Sequence, residues 1–288
     1  MNPASDPSPA LPAITVTVCS YNRGAMLELA LAGYDRQSYR NFEVIVCDDG
    51  SSDGTVELVE GLKRRLSFPL RLFTWEDLGY RRAGVLNVGF VLARNPLVVC
   101  TDEDCVPHRD FLLGHARRAR RGRFSLAKVV KVAERDMAAA TVEGIAAGRI
   151  DRLLTPWPRT KLFYMHLKYY QWLLCRTPLR PKMNGANFAV WRDDLWAVNG
   201  FDNTFVGYGY EDNDLRRRLL ESGRRIQVAV RQAVTFHLWE KKKGYVVGDS
   251  GVKNKAHAER PTTQIICADG LRQTAARLNL EIPPEYRD

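Results

Sequence analysis

The sequence predicts an α/β protein with a mixed, mostly parallel sheet and helices on both faces. Three observations carry that expectation. Runs rich in β-branched and apolar residues stand at 13–19, 42–47, 70–73 and 97–101. Segments with helical spacing of apolar residues lie between them, around Met26, Thr55 and Gly84. Polar loops, acidic after the second and fourth runs, follow the strands, where an open α/β sheet forms its ligand crevice. Strands covered on both faces read as continuous apolar runs rather than as alternation.

The first strand ends at Ser20, Tyr21, Asn22, Arg23 and Gly24, ahead of a helix carrying Leu27, Ala30 and Leu31. The second closes on Asp48, Asp49, Gly50, Ser51 and Ser52, and residues 55–66 then carry helical spacing. A short third strand, a third helix over 84–93 and a fourth strand follow, the last leading into Asp102, Glu103 and Asp104. After residue 110 the rhythm breaks into Arg117, Arg118, Arg120, Arg121 and Arg123, then a helical region over 132–154. The arginines are either a solvated helix face or a contact for an anionic acceptor or membrane surface. Trp157, Phe163, Tyr164, Tyr169, Tyr170 and Trp172 crowd into a segment ending at Pro178 and Pro181, read as packed core or as an acceptor-binding or interfacial surface. A turn and strand over 183–191, a helix over 193–198, a helix opening at Glu211 and stopping near Gly223, and strands at 227–230 and 234–237 complete the pattern. The organisation expected is a floppy leader (1–12), one domain (13–243) and a weakly structured tail (244–288) with one helix near 269–278. Within the domain, 13–110 bind the donor, 111–181 form a helical, aromatic insertion and 182–243 form the acceptor and catalytic half.

Composition narrows the class. The 288 residues are 45% hydrophobic and 26% charged, which excludes disorder as the main state. A net charge of +10 favours anionic partners without choosing among them. Six scattered cysteines with no Cys-x-x-Cys pair read as buried hydrophobes in a reducing compartment. The leader lacks a basic start and apolar stretch, and no apolar run approaches the roughly 20 residues of a membrane span. The place expected is therefore cytoplasmic, with at most peripheral contact with the inner membrane.

Asp102 and Asp104, one residue apart after a buried strand, put two hard oxygen ligands on the same side of the chain. Such a pair suits Mg²⁺ or Mn²⁺ shared with phosphate oxygens. His237, ahead of Lys241, Lys242 and Lys243, could add a nitrogen ligand that tilts the choice towards Mn²⁺, or be structural. Asp49 ends the second strand in the same layer, able to accept from a base N–H or ribose hydroxyl or to stabilise its own turn. Arg81, Arg82 and Asn87 flank the start of the third helix, where a guanidinium can pair with a diphosphate. Asp212 opens a helix, a place that the helix dipole explains without catalysis, and beside Tyr208 and Tyr210 it is also the candidate general base. The acids at the crevice repel phosphate, which speaks against a nucleic-acid partner.

Together these residues resemble a known set. Residues 15–23, 48–55 and 102–107 resemble the nucleotide-side motifs of bacterial family 2 glycosyltransferases with the A-type fold. The second half is similar to the carboxyl-terminal module of β-1,4-galactosyltransferases and chondroitin-type synthases. It carries Asn184-Gly185-Ala186-Asn187, Asn199-Gly200-Phe201-Asp202 and Gly207-Tyr208-Gly209-Tyr210-Glu211-Asp212-Asn213-Asp214. Residues 82–90 also resemble the galactosyltransferases.

The resemblance implies a Rossmann-like A-type (GT-A) fold and an inverting, metal-dependent hexosyltransferase of polysaccharide biosynthesis. Its donor would be a UDP-sugar and its acceptor a glycan or lipid-linked glycan. It assigns Cys19, Tyr21, Arg23, Asp49, Arg82 and Asp102 to the nucleotide-sugar, with Asp49 on uracil and Arg82 on the diphosphate. Asp102, Asp104 and His237 would hold Mn²⁺ (or Mg²⁺), Asp212 would be the base, and Gly185, Tyr208 and Glu211 would hold the acceptor. The alternative is a non-catalytic nucleotide- or glycan-binding module of the same fold.

Overall fold

A computed structural model describes residues 10–175, 181–240, 249–260 and 262–287. The leader residues 1–9, Pro178 and the lysines 241–243 lie outside them. The first half alternates β1 (Ile14–Ser20), α1 (Gly24–Asp35), β2 (Phe42–Asp48), α2 (Thr55–Leu62), β3 (Leu70–Thr74), α3 (Arg82–Leu92) and β4 (Leu97–Asp102). Then come β5 (Cys105–Pro107), α4 (Phe111–Arg118), β6 (Arg123–Leu126), β7 (Lys128–Lys131), α5 (Val142–Ala146) and α6 (Pro156–Cys175). The chain continues through β8 (Phe188–Trp191), α7 (Arg192–Ala197), α8 (Glu211–Glu221), β9 (Arg225–Val228), β10 (Val234–His237), α9 (Asp249–Glu259) and α10 (Leu271–Arg277).

Seven strands form one mixed sheet in the order β3-β2-β1-β4-β8-β6-β9, and β5-β10-β7 form a second. The strands β3, β2, β1 and β4 run parallel, and β8 lies antiparallel between β4 and β6. The order 3-2-1-4 reverses direction at β1 and β4, so a crevice opens beyond their carboxyl ends, where Cys19 is paired with Asp102. Alternate residues serve opposite layers. Val44 and Val46 pack with Leu27, Leu31 and Val59 of α1 and α2, while Ile45 and Cys47 belong to the layer of Val85, Leu86 and Phe90 of α3.

Helix α3 approaches the sheet closely because position 89 has no side chain. A Cβ on Gly89 would stand 2.9 Å from Thr17 Cγ2 and collide with Cys47 Sγ. Alanine gains about 1 kcal/mol of helix propensity, against overpacking of about 1–3 kcal/mol. Gly89→Ala is therefore expected to lower the unfolding free energy by up to about 2 kcal/mol in a urea titration. A variant as stable as the parent would show that the helix can back away.

The second asparagine of the Asn184-Gly185-Ala186-Asn187 motif serves the fold. Asn187 Nδ2 donates to the carbonyls of Lys128 (3.1 Å) and Ala233 (3.0 Å), so Oδ1 faces His115 Nε2 at 3.0 Å as an acceptor. The ring must then carry its proton on Nε2 and accept from Ser125 Oγ through Nδ1 at 3.0 Å. Burial pushes the His115 pKa down to about 4. The unfolded chain thus binds a proton that the folded chain refuses. Stability is fully present above about pH 6.5 and is lost as pH falls towards 4, by on the order of 3 kcal/mol. His115→Gln should flatten that part of the pH–stability profile, and an unchanged slope would assign it to another group.

Three expectations change. Residues 132–154 are not one helix: two 3₁₀ turns, Glu134–Ala139 and Ile150–Leu153, flank the short α5. Thr141 caps α5 through Gly144 N, and Gly148 takes φ +72°, so the chain turns where a long helix would continue. Asn87 faces no ligand crevice; it donates to Phe201 O and accepts from Phe201 N, both at 2.9 Å. The weakly structured tail carries both α9 and α10, with Leu271 and Ala275 fully buried. Asn199, at φ +62°, ties it down by donating to Cys267 O and Gln273 Oε1, both at 2.8 Å. Five of the six unpaired cysteines are buried, as expected, and Cys175 is exposed.

Candidate active site

The crevice beyond β1 and β4 holds a cavity of about 280 Å³. Cys19, Tyr21, Arg23, Arg82, Asp102, Asp104, Tyr208 and His237 all line it, from both halves of the sequence. Gly185, Glu211 and Asp212 do not line it; Gly185 and Glu211 bond to Arg82, and Asp212 bonds to the Gly185 amide. The Arg82 guanidinium is 7% exposed and gives Nη2 to Asp102 Oδ1 (2.6 Å) and Gly185 O (3.0 Å), and Nη1 to Glu211 Oε1 (3.2 Å). Three segments far apart in sequence thus meet on one cation. Gly185 lets the guanidinium come this close, since a Cβ would lie 3.0 Å from both terminal nitrogens of Arg82.

Asp104 and His237 come together because β10 pairs antiparallel with β5, His237 opposite Cys105. His237 Nδ1 lies 3.0 Å from the Leu238 carbonyl, which can only accept, so in the neutral ring the Nε2 lone pair faces Asp104 Oδ2 at 3.5 Å. Two acceptors facing each other are what a shared cation bridges, and a carboxylate with an imidazole suits Mn²⁺. Asp102, the third of the expected ligands, is half-buried in the same crevice. It is turned to Arg82, the nearest buried cation, and among the described residues no three His, Cys, Asp or Glu side chains form a ready-made metal group.

The acids crowd. Burial, then the neighbouring Asp104 and Asp102, push Glu103 up to about 8, so it holds its proton at neutral pH. Arg23 Nη1 bonds Asp104 Oδ2 (3.0 Å), while Nη2 meets Glu240 Oε2 (2.9 Å). Asp212 starts α8 and accepts from the Gly185 amide through Oδ2 at 3.3 Å. Burial raises its pKa, with Arg82 opposing. Burial likewise raises Glu211, whose Oε2 is buried with no hydrogen-bond partner among the described residues.

Asp49 does not line the cavity. Its oxygens accept from Trp75 Nε1 (2.7 Å) and the Arg81 amide (2.6 Å), and Arg81 stacks 4.2 Å over the Trp75 ring. Tyr21 donates to Asp77 Oδ2 at 2.7 Å. Tyr80, Glu103, Val129, Asn184 and Ala186 complete the lining, and none carried a role from the sequence. Tyr80 has no periodicity or spacing to mark it. Asn254 of α9 is another such residue, donating to the carbonyls of Val206 (3.2 Å) and Tyr208 (3.4 Å) and so holding the Tyr208 loop.

A family model described as glycosyl transferase family 2 matches residues 15–178, and one described as the N-terminal domain of galactosyltransferase matches 175–239. The chain is similar to validoxylamine A glucosyltransferase of Streptomyces hygroscopicus subsp. jinggangensis (strain 5008), 30% identical over 233 residues, covering 74% of this chain and 52% of that one. It thus spans about half the length of that relative. Two solved structures share the fold. A mannosyltransferase from Pyrobaculum calidifontis in complex with GDP-Man and Mn²⁺ superposes with a TM-score of 0.57 at 20% identity, covering 96% of this chain and 68% of that one. GalNAc-T7 with UDP, GalNAc and Mn²⁺ gives 0.59 at 16% identity, covering 86% and 48%.

Proposed function

On the premise that the chain belongs to glycosyl transferase family 2, we propose that it moves a hexose from a UDP-sugar to a glycan or lipid-linked glycan in polysaccharide biosynthesis, inverting the anomeric centre. The observation that carries the reading is the Arg82 junction, which joins an acid of the donor half to the base-bearing helix of the acceptor half. Asp212 takes the proton of the acceptor hydroxyl, whose oxygen attacks the anomeric carbon. The bond to the diphosphate breaks on the opposite side and the electron pair leaves with the phosphate oxygen. The unpartnered Glu211 Oε2 supports a hydrogen bond from an acceptor hydroxyl, with Tyr208 over the sugar face. Asp102, Asp104 and His237 would hold Mn²⁺ or Mg²⁺, which when bound offsets charge on the departing diphosphate. The resemblance of residues 82–90 to galactosyltransferases supports uridine over guanosine, since one structural neighbour holds UDP and the other GDP-Man.

A thermal-shift panel of UDP, GDP, CMP and UDP-sugars, each with and without Mn²⁺, tests the donor. A ligand at about 100 times its dissociation constant stabilises by about 2.7 kcal/mol. The expected result is a Mn²⁺-dependent rise with UDP, larger with one UDP-sugar. A rise with GDP alone would move the donor class. Nucleotide binding with no sugar transferred in single-turnover assays would leave a binding module.

A further inference from the structure

We infer that the outer side of α6 is a docking surface for an anionic lipid bilayer. Only Leu162, Tyr169 and Trp172 of its 20 residues are buried. The opposite side carries Phe163, Leu167 and Leu174, at offsets of four and seven residues, which stack on one helical face. They are 45%, 49% and 80% exposed, and Trp157 and Tyr164 beside them are 77% and 57% exposed. From Trp157 to Leu174 the stripe runs about 26 Å at 1.5 Å per residue. A solvated helix of a globular chain does not present five large apolar side chains to water.

Charge chooses the occupant. No Asp or Glu stands in α6. Lys161 and Lys168 border the stripe on one side, and Lys168 lies 4.5 Å over the Tyr164 ring. On the other side Arg231 sits 5.0 Å over Phe163, and Arg118 donates to Tyr170 Oη at 2.8 Å, bringing the arginine-rich end of α4 alongside. An apolar stripe between two rows of cations matches acyl chains beneath anionic headgroups, with indole and phenol rings at the boundary and lysine stems reaching up. A second copy docked two-fold on the same face would set these cations against their own images. The inference names a partner for the proposed transferase, yet it does not depend on that activity, because vesicle binding is read without substrate.

The test is co-sedimentation of the full chain with vesicles of phosphatidylcholine alone or with about 30% phosphatidylglycerol. Binding to the anionic vesicles should be at least about ten-fold tighter and should weaken as salt rises. Leu167→Glu with Leu174→Glu should cost about ten-fold or more, and alanine at Lys161, Lys168 and Arg231 about five-fold each, on anionic vesicles only. Lys168 is half-buried, the other four residues are exposed and none lines the cavity, so an unchanged Tm of each variant without lipid or nucleotide serves as the fold control. No vesicle binding by the parent chain, equal binding to neutral lipid, or unaltered binding by the double glutamate variant overturns the inference. Self-association that the glutamates abolish, without vesicle binding, would assign the face to a second copy.

Discussion

Asp212→Asn is expected to cut sugar transfer by about 10²–10⁴-fold while nucleotide affinity stays within about two-fold of the parent. The asparagine keeps the shape and can still accept from the Gly185 amide, which holds Oδ2 at 3.3 Å. What it loses is a lone pair basic enough to take a proton. Asp212 does not line the cavity that the donor would occupy, so nucleotide binding should not register the change. Near-normal turnover would sink the assignment, and so would a loss of nucleotide binding as large as the loss of transfer.

The same substitution has a stability signature of opposite sign. Burial raises the folded pKa of Asp212 above its ordinary value. The folded chain therefore binds the proton more readily than the unfolded one, and stability present at low pH is lost as pH rises through the raised value. Asparagine carries no charge to bury. The variant should be the more stable protein at neutral pH, with its advantage fading on acidification, as expected where a site holds a group at a cost to the fold. The transfer rate of the parent should fall on the acid side through that raised pKa, a limb that only catalysis reports.

The parts of this fold legible in the sequence are those stabilised locally and buried on both sides. The runs at 13–19, 42–47, 70–73 and 97–101 became β1 to β4 within one or two residues. Strands β5, β6 and β7 were missed: they are three or four residues long, and Arg123, Lys128 and Lys131 break any apolar run. They exist because long-range pairing holds them, for which a sequence has no local sign. The site divides the same way. Spacing puts Asp102 and Asp104 in one crevice, but only the β5–β10 register brings His237 to Asp104. The motif asparagines mislead in the other direction. Asn187 and Asn199 satisfy buried backbone carbonyls, and a sequence cannot separate a residue held for that purpose from one held for a ligand.

Arg82→Ala should be the most damaging single change to the molecule as a whole. Three partners share its guanidinium, and Glu211 is ion-paired to it at 3.2 Å. Truncation leaves the buried Glu211 and the half-buried Asp102 facing each other across the space it filled, an uncompensated charge that costs about 3–5 kcal/mol. In a chain of this length that is a fall in Tm of roughly 5–8 °C. The deficit should shrink as pH falls, because Glu211, raised by burial and freed from Arg82, protonates more readily in the folded chain than it does in the parent. Removing the stranded charge as well, in Arg82→Met with Glu211→Gln, should recover much of the stability, since a buried ion pair replaced by neutral side chains is often no less stable. Nucleotide affinity should not recover, because no cation then remains at the place expected for the diphosphate. Recovery of both would reduce Arg82 to a structural counter-charge. A parent-like Tm in the single variant would mean that the donor and acceptor halves are held together by something other than this junction.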